Sequence, residues 1–225
     1  MKENSQRPFW LGVTETYELL DCYGIRLAPM SIAKTANEAA DQAAKMGFPV
    51  VVKLNSATIT HKTDVGGVVI GLRSRNEVKR AFDTIRGRLK KLGLDSEMQG
   101  VMVQRMIAGG IETIVGVTQD PSFGPLMMFG AGGIYAELMK DIAIRLPPLT
   151  DLDAKEMIKS IKMAKMLEGY RDTPAGDTDA VADLLLRLSA MVEDIHQISE
   201  LDFNPVKVMP QGQGCWVVDA RIMLK

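Results

Sequence analysis

ELDFNPVKVMPQGQGCWVVDARIM, residues 200–223, holds two β-prone runs separated by a short polar stretch. Gln211-Gly212 is a candidate two-residue hairpin turn, the glycine supplying the positive φ that such turns need. That turn sets Asn204 across from Asp219 and Asp202 across from Arg221. Directly opposed Cβ atoms lie about 4.5–5.5 Å apart, and positions 202 and 204 share a face because side chains alternate along a strand. The predicted product is a strip of oxygen donors, Asp202, Asn204 and Asp219, beside one guanidinium. Magnesium takes one or two carboxylate or amide oxygens and completes its shell with phosphate and water, so the strip suits it. A solvent-exposed polar face with an ordinary cross-strand ion pair fits the same spacing equally well. Pro205 bears on the register, because proline within a strand marks an edge or a bulge, and a bulge shifts the pairing by one.

Working outward, helix and strand signals alternate. The pattern predicts a helix over 14–23, ended by Gly24, and the start of a strand at Ile25–Leu27. Thr35 or Asn37 caps a second helix that runs to Gly47, with Glu38 in its first turn. Pro49 opens the apolar strand VVVKL, and Val68–Leu72 forms another strand. An amphipathic helix is predicted from about 76 to 92, closed by Gly93. The middle is strand-rich: VMVQRMI and IETIVGV flank Gly109-Gly110, which reads as a hairpin turn, and PLMMFG follows. Two more helices are expected over 153–167 and 179–197. This order predicts an α+β protein of two lobes, residues 1–102 and 103–225, with no flexible linker between them.

The 225 residues are 46% apolar, enough for a substantial core. Basic residues number 27 and acidic ones 28, so the near-zero net charge provides no electrostatic footprint for nucleic acid or an anionic membrane. The apolar runs are too short for a spanning helix, and the polar start MKENSQRPFW lacks the core of a signal peptide. Cys22 and Cys215 read as reduced thiols of a cytoplasmic protein. Neither cysteine stands at metal-ligand spacing from His61 or His196. His196, near a helix end, reads as structural.

Three further stretches bear chemistry. Lys53 closes the apolar strand VVVKL, where its ammonium can reach a phosphate or merely mark the strand's exit to solvent. ITHKTDVGGV places His61, Lys62 and Asp64 before Gly66-Gly67. Adjacent glycines can turn backbone N–H groups on to an anion; a neutral histidine beside them can carry a phosphoryl group, with Lys62 offsetting its charge. A plain glycine turn with a solvated polar face is the commoner use of such a string. GAGG, residues 130–133, does not complete a dinucleotide fingerprint, since Tyr135 stands at the final glycine position, and no phosphate-binding P-loop string occurs. The 15 methionines fall mostly at periodic apolar positions and read as core.

Taken in order, GFPVVVKLNSATITHKTDVGGV, GGIETIVGVTQDPSFGPLMMFGAGGIYAELMKD, ELDFNPV and VVDARI resemble the ATP-grasp domain of NDP-forming acyl-CoA synthetases. The likeness runs from about residue 15 to 224. It implies the ATP-grasp fold, two lobes with the nucleotide bound between them, and ATP or ADP with Mg2+ as the bound species. By resemblance, Lys53 contacts the nucleotide phosphates, and Gly66, Gly67 and Val68 form the loop over them. Gln104 through Ile107 line the adenine pocket, Gln104 standing where relatives often carry glutamate. Glu112 takes the ribose hydroxyls, and Asn204 and Asp219 hold magnesium. Gly132 and Gly133, with Glu137, form a loop facing the partner subunit and the incoming phosphate. His61, in the HKTDVGG string, matches a second phosphate-carrying histidine, with Lys62 beside it as a catalytic cation.

The resemblance further implies an alpha subunit with CoA-binding and phosphohistidine domains, in an α2β2 assembly. The implied reaction converts acyl-CoA, ADP and phosphate into acid, CoA and ATP. Two other functions fit the strings: a generic ATP-grasp carboxylate ligase with no phosphohistidine, and a non-catalytic nucleotide-sensing domain.

Overall fold

The computed structural model describes residues 8–59, 62–133 and 141–225. Their contacts group Ala28–Ile107 into one compact unit, and the residues up to Leu27 with Ala108–Lys225 into another. The division expected at 102/103 would cut a strand. Gly100–Arg105 pairs along both edges within the smaller unit, so its hydrogen bonds hold the whole strand there.

In the smaller unit, strands β2 (Met30–Ala33), β3 (Val50–Asn55), β4 (Val68–Leu72) and β5 (Gly100–Arg105) form an antiparallel sheet in the order β2-β5-β3-β4. Helices α2 (Ala36–Met46) and α3 (Arg75–Lys91) pack against it. Local chemistry sets where these helices begin. Thr35 accepts from Glu38 N while the Glu38 side chain accepts from Thr35 N, a reciprocal capping box worth about 1 kcal/mol. Ser74 caps α3 through Glu77 N, one residue earlier than apolar periodicity alone suggests. Along α3, Val78, Ala81, Phe82, Ile85 and Leu89 follow the three- and four-residue spacing of one helical face and are buried. They meet Val50, Val52, Leu54, Val101 and Val103 from the sheet.

Among the described residues, the larger unit is built on a seven-stranded sheet in the order β1-β11-β9-β6-β7-β8, with β10 also paired to β9. Its strands are β1 (Phe9–Trp10), β6 (Ile111–Asp120), β7 (Gly124–Ala131), β8 (Ile142–Arg145), β9 (Ile198–Val208), β10 (Cys215–Val217) and β11 (Ala220–Leu224). Helices α1 (Val13–Cys22), α4 (Asp151–Ser160), α5 (Ala164–Leu167) and α6 (Thr178–Asp194) share its core, where Phe129, Phe203, Met157, Leu185 and Leu188 are fully enclosed. Both cysteines are free, Cys22 exposed and Cys215 buried.

Two further expectations fail here. Gly109-Gly110 is not a hairpin turn: β5 and β6 lie in different sheets, and the two glycines, with φ of +71° and +74°, form the crossover. The helix expected over 153–167 is broken. It starts at a Thr150–Asp153 capping box and stops at Ser160. The two carboxylate oxygens of buried Asp141 then accept the N–H groups of Lys162 and Met163, each at 2.7 Å, so these donors bind a tertiary partner instead of continuing the helix. Among the described residues no helix is long and apolar enough to cross a membrane.

Candidate functional site

The C-terminal hairpin forms as the turn predicts. Gln213 N donates to Pro210 O at 2.9 Å across Gln211-Gly212, and Gly212 has φ of +78°. Asp202 pairs with Arg221, and Asn204 N donates to Asp219 O at 3.1 Å. The shift signalled by Pro205 occurs on the other side of β9. Against β6, the pairing runs Thr113↔Val206 and then Val115↔Phe203, leaving Asn204 and Pro205 opposite the single residue Ile114. Phe203 and Val206 are both buried while Asn204 is exposed, so the bulge returns Val206 to the core face and leaves the amide off it.

One carboxyl of this strip is perturbed. Burial pushes the Asp202 carboxyl above its ordinary range; Arg221 pulls it back, and Asp219 and Glu200 raise it further. Among the described residues, no group of three or more histidine, cysteine or acidic side chains forms a closed metal site. Two protein ligands with an open remainder is the arrangement magnesium uses when it takes its other oxygens from phosphate and water. Asn204 and Asp219, joined through the backbone, are of the residue types such a site uses.

A second cluster in the same unit joins residues that the sequence reading kept apart. Gly132 N donates to Glu112 O at 2.9 Å. A Cβ on Gly132 would stand 2.7 Å from the Glu112 carbonyl carbon, and one on Gly133 3.3 Å from Glu112 Oε2. The glycine turn expected to face a partner thus cradles the acid expected to hold ribose. Glu112 Oε1 lies 3.3 Å from Lys207 Nζ, which also donates to Gly109 O at 3.2 Å. Glu112, Gly132 and Gly133 line a cavity of about 720 Å³ whose other walls include Ile111, Met163 and Met166.

The sequence reading missed Lys207 and these methionines. Counting by twos from Asn204 puts Lys207 on the core face; the bulge moves it to the side of Glu112, and Pro205 was the available signal. The cavity walls had no signal, because Met163 and Met166 reach it only where Asp141 breaks the helix.

In the smaller unit, Val50, Val52 and Leu54 face the helices, so Lys53 and Val51 face the opposite side of the sheet. Met102 lies across from Lys53 and Gln104 across from Val51 on that same face, and Lys53 is buried to 8% exposure. Val68 pairs with Lys53 on its other edge. Ile107 follows β5 in irregular chain and is half-buried. The glycine loop differs from expectation in one respect. Gly66 N donates to Thr63 O at 2.9 Å and Gly67 N to Lys62 O at 2.7 Å, so both N–H groups close the turn itself and are not aimed at an anion. Gly67 is needed for close approach, since a Cβ there would stand 2.8 Å from Lys62 O and 2.9 Å from Leu54 Cβ. Arg88 donates to Gly66 O at 2.6 Å, placing a guanidinium on this turn. His61 and Glu137 lie outside the described residues.

Residues 3–224 match the ATP-grasp domain family. The chain is 41% identical over 212 residues to the subunit beta of acetate–CoA ligase [ADP-forming] II from Pyrococcus furiosus, covering 94% of this chain and 90% of that one. It is 44% identical over 210 residues to the 4-hydroxybutyrate–CoA ligase [ADP-forming] of Nitrosopumilus maritimus, where it spans 30% of the longer relative. In fold it matches the dinucleotide-forming acetyl-coenzyme A synthetase 1 of Ca. Korarchaeum cryptofilum. The complex of that protein with coenzyme A and Ca-AMPCP superposes with a TM-score of 0.91 at 39% identity, covering 100% of this chain and 96% of that one. Its complex with coenzyme A and Mg-AMPPCP, with a phosphohistidine segment pointing towards the nucleotide binding site, gives 0.83 at 37% identity over the same shares of the two chains. Matched along nearly its whole length in sequence and in fold, this chain belongs to the ATP-grasp domain family and, within it, to the family of beta subunits of ADP-forming acetate–CoA ligases.

Proposed function

We propose that this chain is the nucleotide-binding subunit of a cytoplasmic ADP-forming acyl-CoA ligase. It completes the reaction with an alpha subunit that carries the CoA-binding and phosphohistidine domains, in an α2β2 assembly. The observation that carries the reading is the hairpin register, which sets Asn204 beside Asp219 with Asp202 on the same strand. The 41% identity to the beta subunit of the Pyrococcus furiosus ligase, over 90% of that subunit, supports the reading.

On the partner, phosphate displaces CoA from the acyl-CoA to give an acyl phosphate, and a histidine takes the phosphoryl group with release of the acid. In the last transfer the N–P bond of the phosphohistidine breaks as a β-phosphate oxygen of ADP bonds to phosphorus, giving ATP and neutral histidine. Such transfers are accelerated mainly by positioning and charge stabilisation. Lys53 neutralises phosphate charge, and Glu112 holds the ribose. Gln104 through Ile107 border the adenine, and the Gly66-Gly67-Val68 loop borders the phosphates through its packing, with Arg88 as an added cation. Asn204 and Asp219 hold magnesium, whose charge draws electron density from the phosphate oxygens when bound. His61, with Lys62, relays the phosphoryl group, and the turn at Gly132 and Gly133 with Glu137 borders the partner's approach.

The test is ATP formation from an acyl-CoA, ADP and phosphate by the chain purified with its copurifying partner. Failure with acetyl-CoA and with longer acyl-CoAs would sink the proposal.

A further inference from the structure

We propose that Lys207 is a positioning residue for nucleotide recognition. Together with the Gly132-Gly133 turn, it fixes the Glu112 carboxylate for a vicinal diol and so makes the site select ribonucleotides over 2′-deoxyribonucleotides. The inference rests on the reading of Glu112 as the ribose ligand and adds what holds it.

Glu112 and Lys207 are directly opposed on the β6–β9 ladder. Lys207 Nζ meets two acceptors, Glu112 Oε1 at 3.3 Å and Gly109 O at 3.2 Å, and its side chain is 19% exposed against 42% for Glu112. The ammonium is thus held by a main-chain carbonyl of the crossover and fixes one oxygen of a more exposed carboxylate. The other oxygen, Oε2, lies above Gly133, where a Cβ would approach to 3.3 Å. Behind it, Gly132 N anchors the Glu112 carbonyl. A carboxylate held at one oxygen, with the second directed past a residue lacking a side chain, presents a fixed acceptor at the rim of the 720 Å³ cavity. A ribose offers two adjacent O–H donors to such an acceptor, and a 2′-deoxyribose offers one. Hydrogen bonds to a charged group are stronger than neutral ones, and a site built to receive a hydroxyl rejects the analogue lacking it. Fixing the carboxylate beforehand reduces the ordering cost when the sugar binds.

The experiment is calorimetric titration of the full chain with Mg-ADP and Mg-2′-deoxyADP, for the wild type, Lys207→Gln, Lys207→Arg and Glu112→Gln. Wild type is expected to prefer ADP by roughly tenfold or more. Lys207→Gln should reduce that ratio at least threefold, Lys207→Arg should restore much of it, and Lys207→Gln should change it no further in the Glu112→Gln background. A lysine that only attracts phosphate, or only supports the fold, would weaken both ligands by the same factor and leave the ratio unchanged; that result overturns the inference. Wild-type binding of both nucleotides with equal affinity also overturns it and leaves the nucleotide-binding reading intact. Binding of neither overturns that reading, and the inference with it.

Discussion

Replacing Gly132 by alanine tests how the site is built, because the added methyl group meets only main chain. It would stand 2.7 Å from the Glu112 carbonyl carbon and 2.8 Å from both Glu112 O and Thr113 N. Strand β6 carries those atoms and is paired on both sides, so it has no side-chain rotation with which to give way. The turn must move instead, losing the 2.9 Å bond from Gly132 N to Glu112 O. Overpacking costs about 1–3 kcal/mol, and the lost bond about 1 kcal/mol. A cost of about 3 kcal/mol lowers the melting temperature by roughly 6–12 °C in a chain of this size. The same chemical change at Gly87 provides the control. That residue is exposed within α3, and a Cβ there meets nothing within 4 Å. Gly87→Ala should therefore stabilise by about 0.5–1 kcal/mol. Thermal melts of both variants, with Mg-ADP titrations, provide the measurement. A Gly132→Ala protein that melts within a degree or two of wild type and binds Mg-ADP unchanged would refute the cradle around Glu112.

Asp219→Ala should weaken Mg-ADP binding by about 10–100-fold, the cost of one charged ligand, while leaving ADP affinity in EDTA nearly unchanged; equal loss in both conditions would count against Asp219 as a metal ligand. His61→Ala should abolish most ATP formation by the complex while sparing Mg-ADP binding, and full retention of ATP formation would remove His61 from the relay. Burial raises the Cys215 thiol to about 12, so iodoacetamide at pH 8 should modify Cys22 promptly and Cys215 only after unfolding; equal rates would contradict the packing. The sign of the pH effect follows from the same shift. The unfolded thiol ionises near its ordinary value while the folded one keeps its proton, so this contribution to stability is intact below about pH 8.5 and declines as pH rises towards 12. Cys215→Ala should flatten that alkaline slope, and an unchanged slope would assign it to other groups.

Local rules made much of the fold legible. Thr35 with Glu38 marks a helix start, as do Ser74 with Glu77 and Thr150 with Asp153, because each pair satisfies orphan N–H groups within four residues. Apolar periodicity begins a residue or two inside the helices capped by Ser74 and Thr150, so on its own it predicts their starts late.

What the sequence by itself determined is the set of features closed over short distances. The Gln211-Gly212 turn fixes one strand against the next, so Asn204 meets Asp219 whatever the rest of the chain does. Tertiary structure decided everything that needed a third element. Whether Gly109-Gly110 reverses a strand or carries it to another sheet depends on which edge is free to pair, and a turn signal has no information about that. The bulge at Asn204 and Pro205 falls on the β6 side because β6 lies against β9 there. Glu112 in β6, Lys207 in β9 and Gly132 just after β7 converge, so their meeting is a property of the β6-β7-β9 packing. The hairpin can be read from residue types, whereas the cradle exists only once the sheet has set those strands side by side.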